Sequence, residues 1–312
     1  MRLDRRMPSG AGEKPREDCG IIGIYGVQRA AELVYAGLHA LQHRGQESAG
    51  IVASDGARIH SRKGLGLLSE AIDRHELHDL CGHIAVGHVR YSTTGAKRVQ
   101  NIQPLVTEYS RGITVIAHNG NLTNARALRR LYQSRGSIFQ TSTDSEIIVH
   151  LLADPQHDKA PDPLASALDR VEGAYSLVLM DASNLVAARD PHGFRPLSLG
   201  ALEDGYVVAS ETCALDLLGA EFIRDVGPGE IIEFGEGRPN SRYLGRRDGN
   251  RLAHCIFEHI YFARPDSVVF GETVHNVRRR LGENLASACP VDADVVCPVP
   301  DSGDCAALGY CH

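Results

Sequence analysis

The sequence of 312 residues contains no run of 18 or more apolar residues, so no membrane span is expected from it. Its first 18 residues lack the apolar segment of a signal peptide and mix basic with acidic side chains. A net charge of −6 gives no reason to expect nucleic acid as the main partner. We therefore expect a cytoplasmic globular protein without a membrane or nucleic-acid partner.

The eight cysteines contain no C-x-x-C pair, so the spacing shows neither a zinc ribbon nor a dithiol redox motif. A disulfide framework is not expected in a reducing cytoplasm. Most of the cysteines are therefore expected to be small buried side chains. Two of them, Cys19 and Cys255, occur in patterns that indicate chemistry instead.

Composition and periodicity divide the chain into a leader and two units. Residues 1–18 are polar and contain proline and glycine, which predicts disorder. Residues 19–245 alternate short strands with helices, which predicts layered sheets covered by helices. A polar stretch at 236–252 is the predicted crossing between domains. Residues 254–312 contain a helix, a predicted buried strand ("ADVVCPVP") and the start of another helix, too little for a complete doubly wound sheet.

Cys19 lies between Asp18 and Gly20 at the start of a predicted strand, with no base close to it in the sequence. Cutting the Asp18–Cys19 bond would give Cys19 a free α-amine. An α-amine titrates at about 7.7–8.0 and a thiol at about 8.5, so the two could exchange a proton at neutral pH. One residue would then supply both nucleophile and base, which predicts a removable leader.

Four further residues suit acyl transfer from an amino acid. In "HNGN", the Asn119 side-chain amide and the Gly120 backbone N–H could stabilise an oxyanion. Arg90 could hold a carboxylate, and Asp144 could receive an ammonium group. Taken singly, each residue is more common as a turn, a surface ion pair or a helix charge. Together they outline a pocket for glutamine.

Five motifs occur in an order and spacing that resemble the class II glutamine amidotransferase domain: "CGIIGIYG", "LQHRGQESAG", "GHVRYSTTG", "AHNGNLTN" and "TSTDSEI". The resemblance implies an N-terminal-nucleophile hydrolase, an α+β fold with four αββα layers, over residues 19–245. It implies that Cys19 is the nucleophile and that its own α-amine is the base. The other implied site residues are Asn119 and Gly120 in the oxyanion hole, Arg90 and Asp144 on the glutamine carboxylate and amine, and Arg44 beside the substrate.

Later motifs resemble the amidophosphoribosyltransferase family, above all "CIFEHIYFARPDS" at 255–267. That family takes ammonia from glutamine and places it on phosphoribosyl pyrophosphate, giving 5-phosphoribosylamine for purine biosynthesis. "VVCPVPDSG" at 295–303 resembles the start of its α/β phosphoribosyltransferase domain. The family's main phosphoribosyl-binding loop has no counterpart in this sequence, so the resemblance implies that this chain carries out only the glutamine half.

The same resemblance implies cofactors and partners. Ser302 matches a position among the magnesium and diphosphate contacts. Cys255 matches the first of four cysteines that hold a [4Fe–4S] cluster in some members, but members without a cluster can also have cysteine there. The sequence leaves both possibilities open. Inhibition by purine nucleotides and a homo-oligomer, a dimer or a tetramer, are further family expectations.

Two other interpretations remain at this level. One is another class II amidotransferase, of the glucosamine-6-phosphate synthase type, which usually begins Met-Cys and continues into sugar-isomerase domains; neither feature is present. The other is a non-catalytic, unprocessed glutaminase-like subunit, which would keep the fold and lack the general base. The intact set of nucleophile, oxyanion and glutamine-binding residues argues against it.

Overall fold

A computed structural model describes residues 19–91, 99–245 and 251–311 of this chain. The predicted leader, residues 1–18, lies outside the described residues. Up to Leu244 the described strands are β1 (Cys19–Tyr25), β2 (Ser48–Ser54), β3 (Ile59–Leu65), β4 (Ile84–Arg90), β5 (Leu105–Tyr109), β6 (Gly112–Leu122), β7 (Gly173–Met180), β8 (Leu185–Arg189), β9 (Ser198–Leu202), β10 (Gly205–Ala209), β11 (Glu221–Asp225), β12 (Glu230–Phe234) and β13 (Asn240–Tyr243). The α-helices of this part are α1 (Ala30–Ala40), α2 (Leu68–Ala71), α3 (Ala125–Ser134), α4 (Glu146–Ala153), α5 (Pro155–Asp158), α6 (Pro163–Leu168) and α7 (Thr212–Leu218).

The strands form two antiparallel sheets that face each other. The first has the order β11-β9-β10-β1-β4-β2-β3, and the second has the order β13-β12-β8-β7-β6-β5. Apolar side chains of both sheets, such as Ile21, Val86 and Val178, fill the space between them. Val34 of α1 packs on the outer face of the first sheet, and Ile147 of α4 packs on the outer face of the second. The four-layer αββα fold is therefore confirmed.

Strand pairing brings the predicted site residues to one region. In the first sheet Cys19 lies opposite Arg90, because β1 pairs antiparallel with β4. In the second sheet Asn119 lies opposite Ser176 in the pairing of β6 with β7. Strands β1 and β4 both pack against β6 across the interior of the sandwich. The strand end that carries Cys19 and the strand that carries Asn119 thus belong to the same part of the fold.

The start of helix α3 is set by strand pairing. Thr123 is of a residue type common at helix N-caps, but its backbone N–H donates to the Glu172 carbonyl at 2.8 Å and continues the pairing beyond β6. Asn124 occupies the N-cap position, and its side chain bonds the Arg170 carbonyl and the Glu172 N–H. The helix therefore begins at Ala125 because strand pairing holds Thr123.

The predicted crossing at 236–252 contains a strand. β13 pairs with β12 over Glu230–Glu233, which makes these polar residues the edge of the second sheet. Of the cysteines expected to be buried, Cys213 and Cys305 are buried, but four others are exposed: Cys81, Cys289, Cys297 and Cys311. The expectation that most would be buried is therefore wrong.

The second unit consists of short elements and two helices. A π-helical turn covers Glu258–Phe262, and the later elements are β14 (Val268–Val269), β15 (Glu272–Thr273), α8 (Val274–Ala288) and α9 (Gly303–Tyr310). Helices α8 and α9 approach closely at Gly282, where a Cβ would lie 1.9 Å from the Ala306 carbonyl oxygen.

The predicted buried strand "ADVVCPVP" forms no strand, and Val295 is 81% exposed. No strand of the described chain pairs with it, and an extended segment needs such a partner. Among the residues described, no helix is long and apolar enough to cross a membrane.

Candidate active site

The predicted nucleophile, Cys19, is the first residue of β1 and is partly exposed. Two residues distant in the sequence hold its backbone in place. Cys19 lies opposite Arg90 of β4, and its carbonyl oxygen accepts a hydrogen bond from Arg44 Nε at 2.9 Å. The thiol therefore stands at the end of a rigid strand, where a ligand can reach it.

The two predicted oxyanion donors follow each other on β6. The Asn119 side chain is buried, and its Nδ2 has no hydrogen-bond partner among the described residues. A buried donor without a partner costs about 1–3 kcal/mol, so such a group is often kept for a ligand. Gly120 has φ +150°, and a Cβ there would lie 2.1 Å from the Ala174 carbonyl oxygen. Only glycine fits this position.

Asp144 is fixed in front of α4 by the strand that carries the donors. One carboxylate oxygen accepts the Leu122 backbone N–H at 2.8 Å. The other lies 3.8 Å from His118 Nδ1, and the side chain is 17% exposed. The carboxylate is therefore anchored but still accessible, as a receptor for an ammonium group must be.

A buried polar network, which the sequence analysis missed, connects β6 to the start of α4. Gln103 Oε1 accepts the His118 backbone N–H at 2.8 Å, and Ser145 Oγ lies 3.0 Å from His118 Nδ1. Burial lowers the pKa of His118, so its ring is neutral at pH 7. The network fixes the backbone just before Asn119. The sequence shows only one sign of this network, the polar cluster around Ser145, and such a cluster is equally typical of a helix N-terminus.

Arg90, the predicted carboxylate clamp, ends β4 and is 6% exposed. Its Nη1 donates to the Asn101 carbonyl at 3.3 Å. Asn101 in turn exchanges two hydrogen bonds with Ser142, which lies two residues before Asp144. Arg90 and Asp144 are thus connected through one set of loops. The residues after Tyr91, 92–98, lie outside the described part of the chain.

Arg44 does not fit the predicted contact with substrate. Its side chain is fully buried, and its guanidinium forms ion pairs with Glu211 at 2.5 Å and with Glu258 at 2.9 Å. Burial by itself raises the pKa of Glu211, but Arg44 and His43 outweigh it and hold that pKa well below its usual range. Arg44 therefore lies behind the nucleophile and bonds its carbonyl, where a substrate cannot reach it.

The predicted metal residues are Ser302 and Cys255, and neither belongs to a metal-binding group of His, Cys, Asp or Glu among the described residues. Ser302 precedes α9 with no side-chain cap bond, and Cys255 has Arg195 Nη1 at 3.8 Å from its sulfur. Within 19–91, 99–245 and 251–311 no group of three or more His, Cys, Asp or Glu could hold a metal ion. A [4Fe–4S] cluster needs four thiolates. The described residues therefore do not by themselves form a magnesium or a cluster site.

Comparison with known proteins agrees with this geometry. A family model described as a glutamine amidotransferase domain matches residues 88–217, which include Arg90, Asn119, Gly120 and Asp144. A chloroplastic amidophosphoribosyltransferase of Glycine max is 49% identical over 96% of this chain. The amidophosphoribosyltransferase of Methanocaldococcus jannaschii is 47% identical over 94% of it. This chain is similar to amidophosphoribosyltransferases along almost its whole length.

A solved structure supports the same assignment at the level of the fold. Glutamine phosphoribosylpyrophosphate amidotransferase from B. subtilis, complexed with ADP and GMP, superposes with a TM-score of 0.87 at 43% identity. The match covers 94% of this chain and 63% of that one. This chain spans 52% of the Glycine max relative and 66% of the M. jannaschii relative. The resemblance to this family is therefore confirmed, over about half to two thirds of its members' length.

Proposed function

We propose that this chain is the glutamine-hydrolysing part of an amidophosphoribosyltransferase, with Cys19 as its nucleophile. The observation that carries the proposal is the buried Asn119 Nδ2, which bonds no residue of the described chain. It lies next to Gly120 on β6, and β6 packs against the strand that begins with Cys19. Acyl transfer requires donors available to the oxyanion in the same site as the nucleophile, and the packing of β6 on β1 supports this arrangement.

In the proposed reaction the Cys19 α-amine takes the thiol proton after the leader is removed. The sulfur then attacks the side-chain amide carbon of glutamine, and Asn119 Nδ2 and the Gly120 N–H stabilise the oxyanion. The C–N bond breaks as the α-ammonium returns its proton to the leaving ammonia, which leaves a thioester. Water attacks the thioester, the S–C bond breaks, and glutamate leaves with the thiol restored.

Glutamine selection is assigned to two opposite charges. Asp144 would receive the α-ammonium group, because its carboxylate is anchored by Leu122 and remains partly exposed. Arg90 would pair with the α-carboxylate in the fork geometry that guanidinium groups favour. Glutamine, which has both charges and a side-chain amide, would therefore bind in preference to analogues that lack the α-ammonium or the α-carboxylate group.

For the whole protein we propose transfer of the ammonia to phosphoribosyl pyrophosphate, with purine nucleotides as regulators. The B. subtilis protein was solved with ADP and GMP, which supports nucleotide binding in relatives. Four further points stay predictions: magnesium at Ser302, a cluster at Cys255, the homo-oligomer and the cytoplasmic location. The plant relatives are chloroplastic, so the location differs within the family.

The test is an assay of glutamate release from glutamine by the 312-residue chain and by two cysteine variants. Cys19→Ala should abolish release, whereas Cys81→Ala, at an exposed cysteine, should not change it. With phosphoribosyl pyrophosphate and magnesium present, this chain alone should form no phosphoribosylamine. Glutamate release that survives in Cys19→Ala would contradict the proposal.

A further inference from the structure

Four buried charged side chains connect the backbone of Cys19 with the part of the chain beyond residue 253. They are two arginines and two glutamates, so their charges balance: Arg44, Arg195, Glu211 and Glu258. Arg44, Glu211 and Glu258 are fully buried, and Arg195 is 5% exposed. We call this set the buried ion network.

Within the network the guanidinium of Arg44 donates hydrogen bonds to both glutamates. Nη1 and Nη2 donate to the two oxygens of Glu258 at 2.9 and 3.0 Å, and Nη1 also donates to Glu211 Oε1 at 2.5 Å. Arg44 Nε bonds the Cys19 carbonyl at 2.9 Å. Because a guanidinium is planar, a bidentate carboxylate on one edge sets the direction of the Nε–H bond.

Glu258 lies outside the predicted glutaminase range of 19–245 and is itself held in place. It belongs to the π-helical turn Glu258–Phe262, and its Oε1 also accepts Arg195 Nη1 at 3.0 Å. The same stretch of chain supports the other carboxylate, because the Ser267 hydroxyl donates to Glu211 Oε2 at 2.7 Å. Residues 258–267 therefore accept two hydrogen bonds from Arg44 and also donate to its other carboxylate partner, Glu211.

A nucleophile at a chain terminus depends on this kind of support. Once the leader is removed, Cys19 has no preceding peptide bond, so its position depends more on its pairing with Arg90 and on the bond to its carbonyl. The bond from Arg44 anchors the Cys19 carbonyl and so helps to place Cα, from which both the α-amine and the thiol project toward the substrate. A small error in this placement is costly when the sulfur must reach the amide carbon of a bound substrate.

We propose that Glu258 is a positioning residue for glutamine hydrolysis, acting through Arg44 on the carbonyl of Cys19. This inference rests on the proposed function of Cys19. The glutaminase site is then completed by a residue from the second unit of the chain. Loss of Glu258 should slow the chemical step and leave glutamine binding intact, because the bonds described for Glu258 go to Arg44 and Arg195 and not to the predicted glutamine-binding residues.

The experiment measures the rate at which an electrophilic glutamine analogue labels Cys19 in the 312-residue chain. Intact mass gives the maximal labelling rate, kinact, and the half-saturating concentration, KI, separately. Glu258→Gln should lower kinact at least tenfold and change KI less than threefold. Glu230→Gln is the matched control, since Glu230 is also fully buried and bidentate to an arginine, Arg224, in another part of the fold. It should keep the wild-type kinact.

A second variant covers the case in which Glu258→Gln does not fold, because that change leaves one buried cation unbalanced. Arg195→Gln/Glu258→Gln keeps the network neutral and still removes the carboxylate from Arg44. It should show the same loss of kinact. Wild-type kinact in either folded Glu258 variant, or an equal loss in Glu230→Gln, would overturn the positioning role alone. No labelling of Cys19 in the wild-type chain would overturn the proposed function, and this inference with it.

Discussion

The carboxylate of Asp144 accepts the backbone N–H of Leu122 at 2.8 Å and so joins the start of α4 to the end of β6. The same strand carries Asn119 and Gly120, three and two residues earlier than Leu122. A change in the position of Asp144 would therefore also move the oxyanion donors. This connection makes glutamine binding and the chemical step one structural unit.

Asp144→Asn should weaken glutamine binding without unfolding the protein. The amide oxygen can still accept the Leu122 N–H, but the negative charge for the ammonium group is lost. A hydrogen bond to a charged group contributes about 1.5–3 kcal/mol, so KM for glutamine should rise about 10- to 100-fold. Asp162→Asn is the control, since Asp162 accepts the Ala165 N–H at the start of α6. Steady-state kinetics check both, and a KM within twofold of wild type in Asp144→Asn would contradict the assignment.

Asn119→Ala should lower kcat by about 10²–10³ and leave KM nearly unchanged, because an oxyanion donor acts mainly in the transition state. Its Nδ2 bonds no described residue, so little hydrogen-bond energy is lost on truncation. Asn124→Ala should behave in the opposite way. It removes two hydrogen bonds, which lowers the free energy of unfolding by about 1–2 kcal/mol and leaves kcat intact. Equal losses of kcat in both variants would count against the oxyanion role.

Gly120→Ala should damage both stability and activity, because the added Cβ would meet the Ala174 carbonyl oxygen at 2.1 Å. The matched control is Gly112→Ala at the other end of β6. Gly112 also has positive φ, +100°, but nothing lies within 4 Å of its added Cβ. It should cost only the backbone strain, about 1–2 kcal/mol, and keep glutamine hydrolysis. Thermal unfolding and glutamate release measure the two effects. A Gly120→Ala protein as active and stable as Gly112→Ala would show that the close approach is not required.

Stability should fall as the pH drops from 7 to 5, in part because of His88. Burial lowers the pKa of His88 to about 3, whereas the unfolded value is about 6.5. Below pH 6.5 the unfolded chain therefore binds a proton at His88, whereas the folded chain does not. Protonation favours the unfolded state, so the free energy of unfolding decreases as the pH falls below 6.5. His88 alone should account for about 2 kcal/mol between pH 7 and 5.

Urea unfolding at both pH values checks this expectation. His88→Gln should make the pH dependence flatter by that amount, whereas His78→Gln, at a side chain 77% exposed, should not change it. An unchanged pH dependence in His88→Gln would contradict the assignment.

The sequence predicts the central strands well and the edge strands poorly. β1, β4, β6 and β7 are expected from their buried apolar residues, and the structure confirms them. The edge strands are β3 and β11 in the first sheet and β5 and β13 in the second. Each is partly exposed, with polar sequences such as "EFIRD" and "NSRY". Their extended state comes from pairing with a neighbour, which local periodicity does not contain.

The candidate site divides in the same way. Cys19, Asn119, Gly120, Arg90 and Asp144 lie in motifs that local chemistry and family resemblance both single out. The partners of Arg44 cannot be recognised in this way, because Glu211 and Glu258 lie 167 and 214 residues away in the sequence. The one local signal is an acid inside the apolar run "CIFEHIYF", since a buried carboxylate needs a partner. Which partner this acid has follows only from the fold. The sequence therefore offers no sign that Arg44, which the family resemblance assigns to the substrate, is held by buried carboxylates.

The most direct test of the central claim is the intact mass of the 312-residue chain before and after reaction with an electrophilic glutamine analogue. The account predicts a mass that lacks residues 1–18 and one covalent adduct that maps to Cys19. A chain that keeps its leader and forms no adduct at Cys19 would contradict the account, because neither the base nor the nucleophile would then be in place.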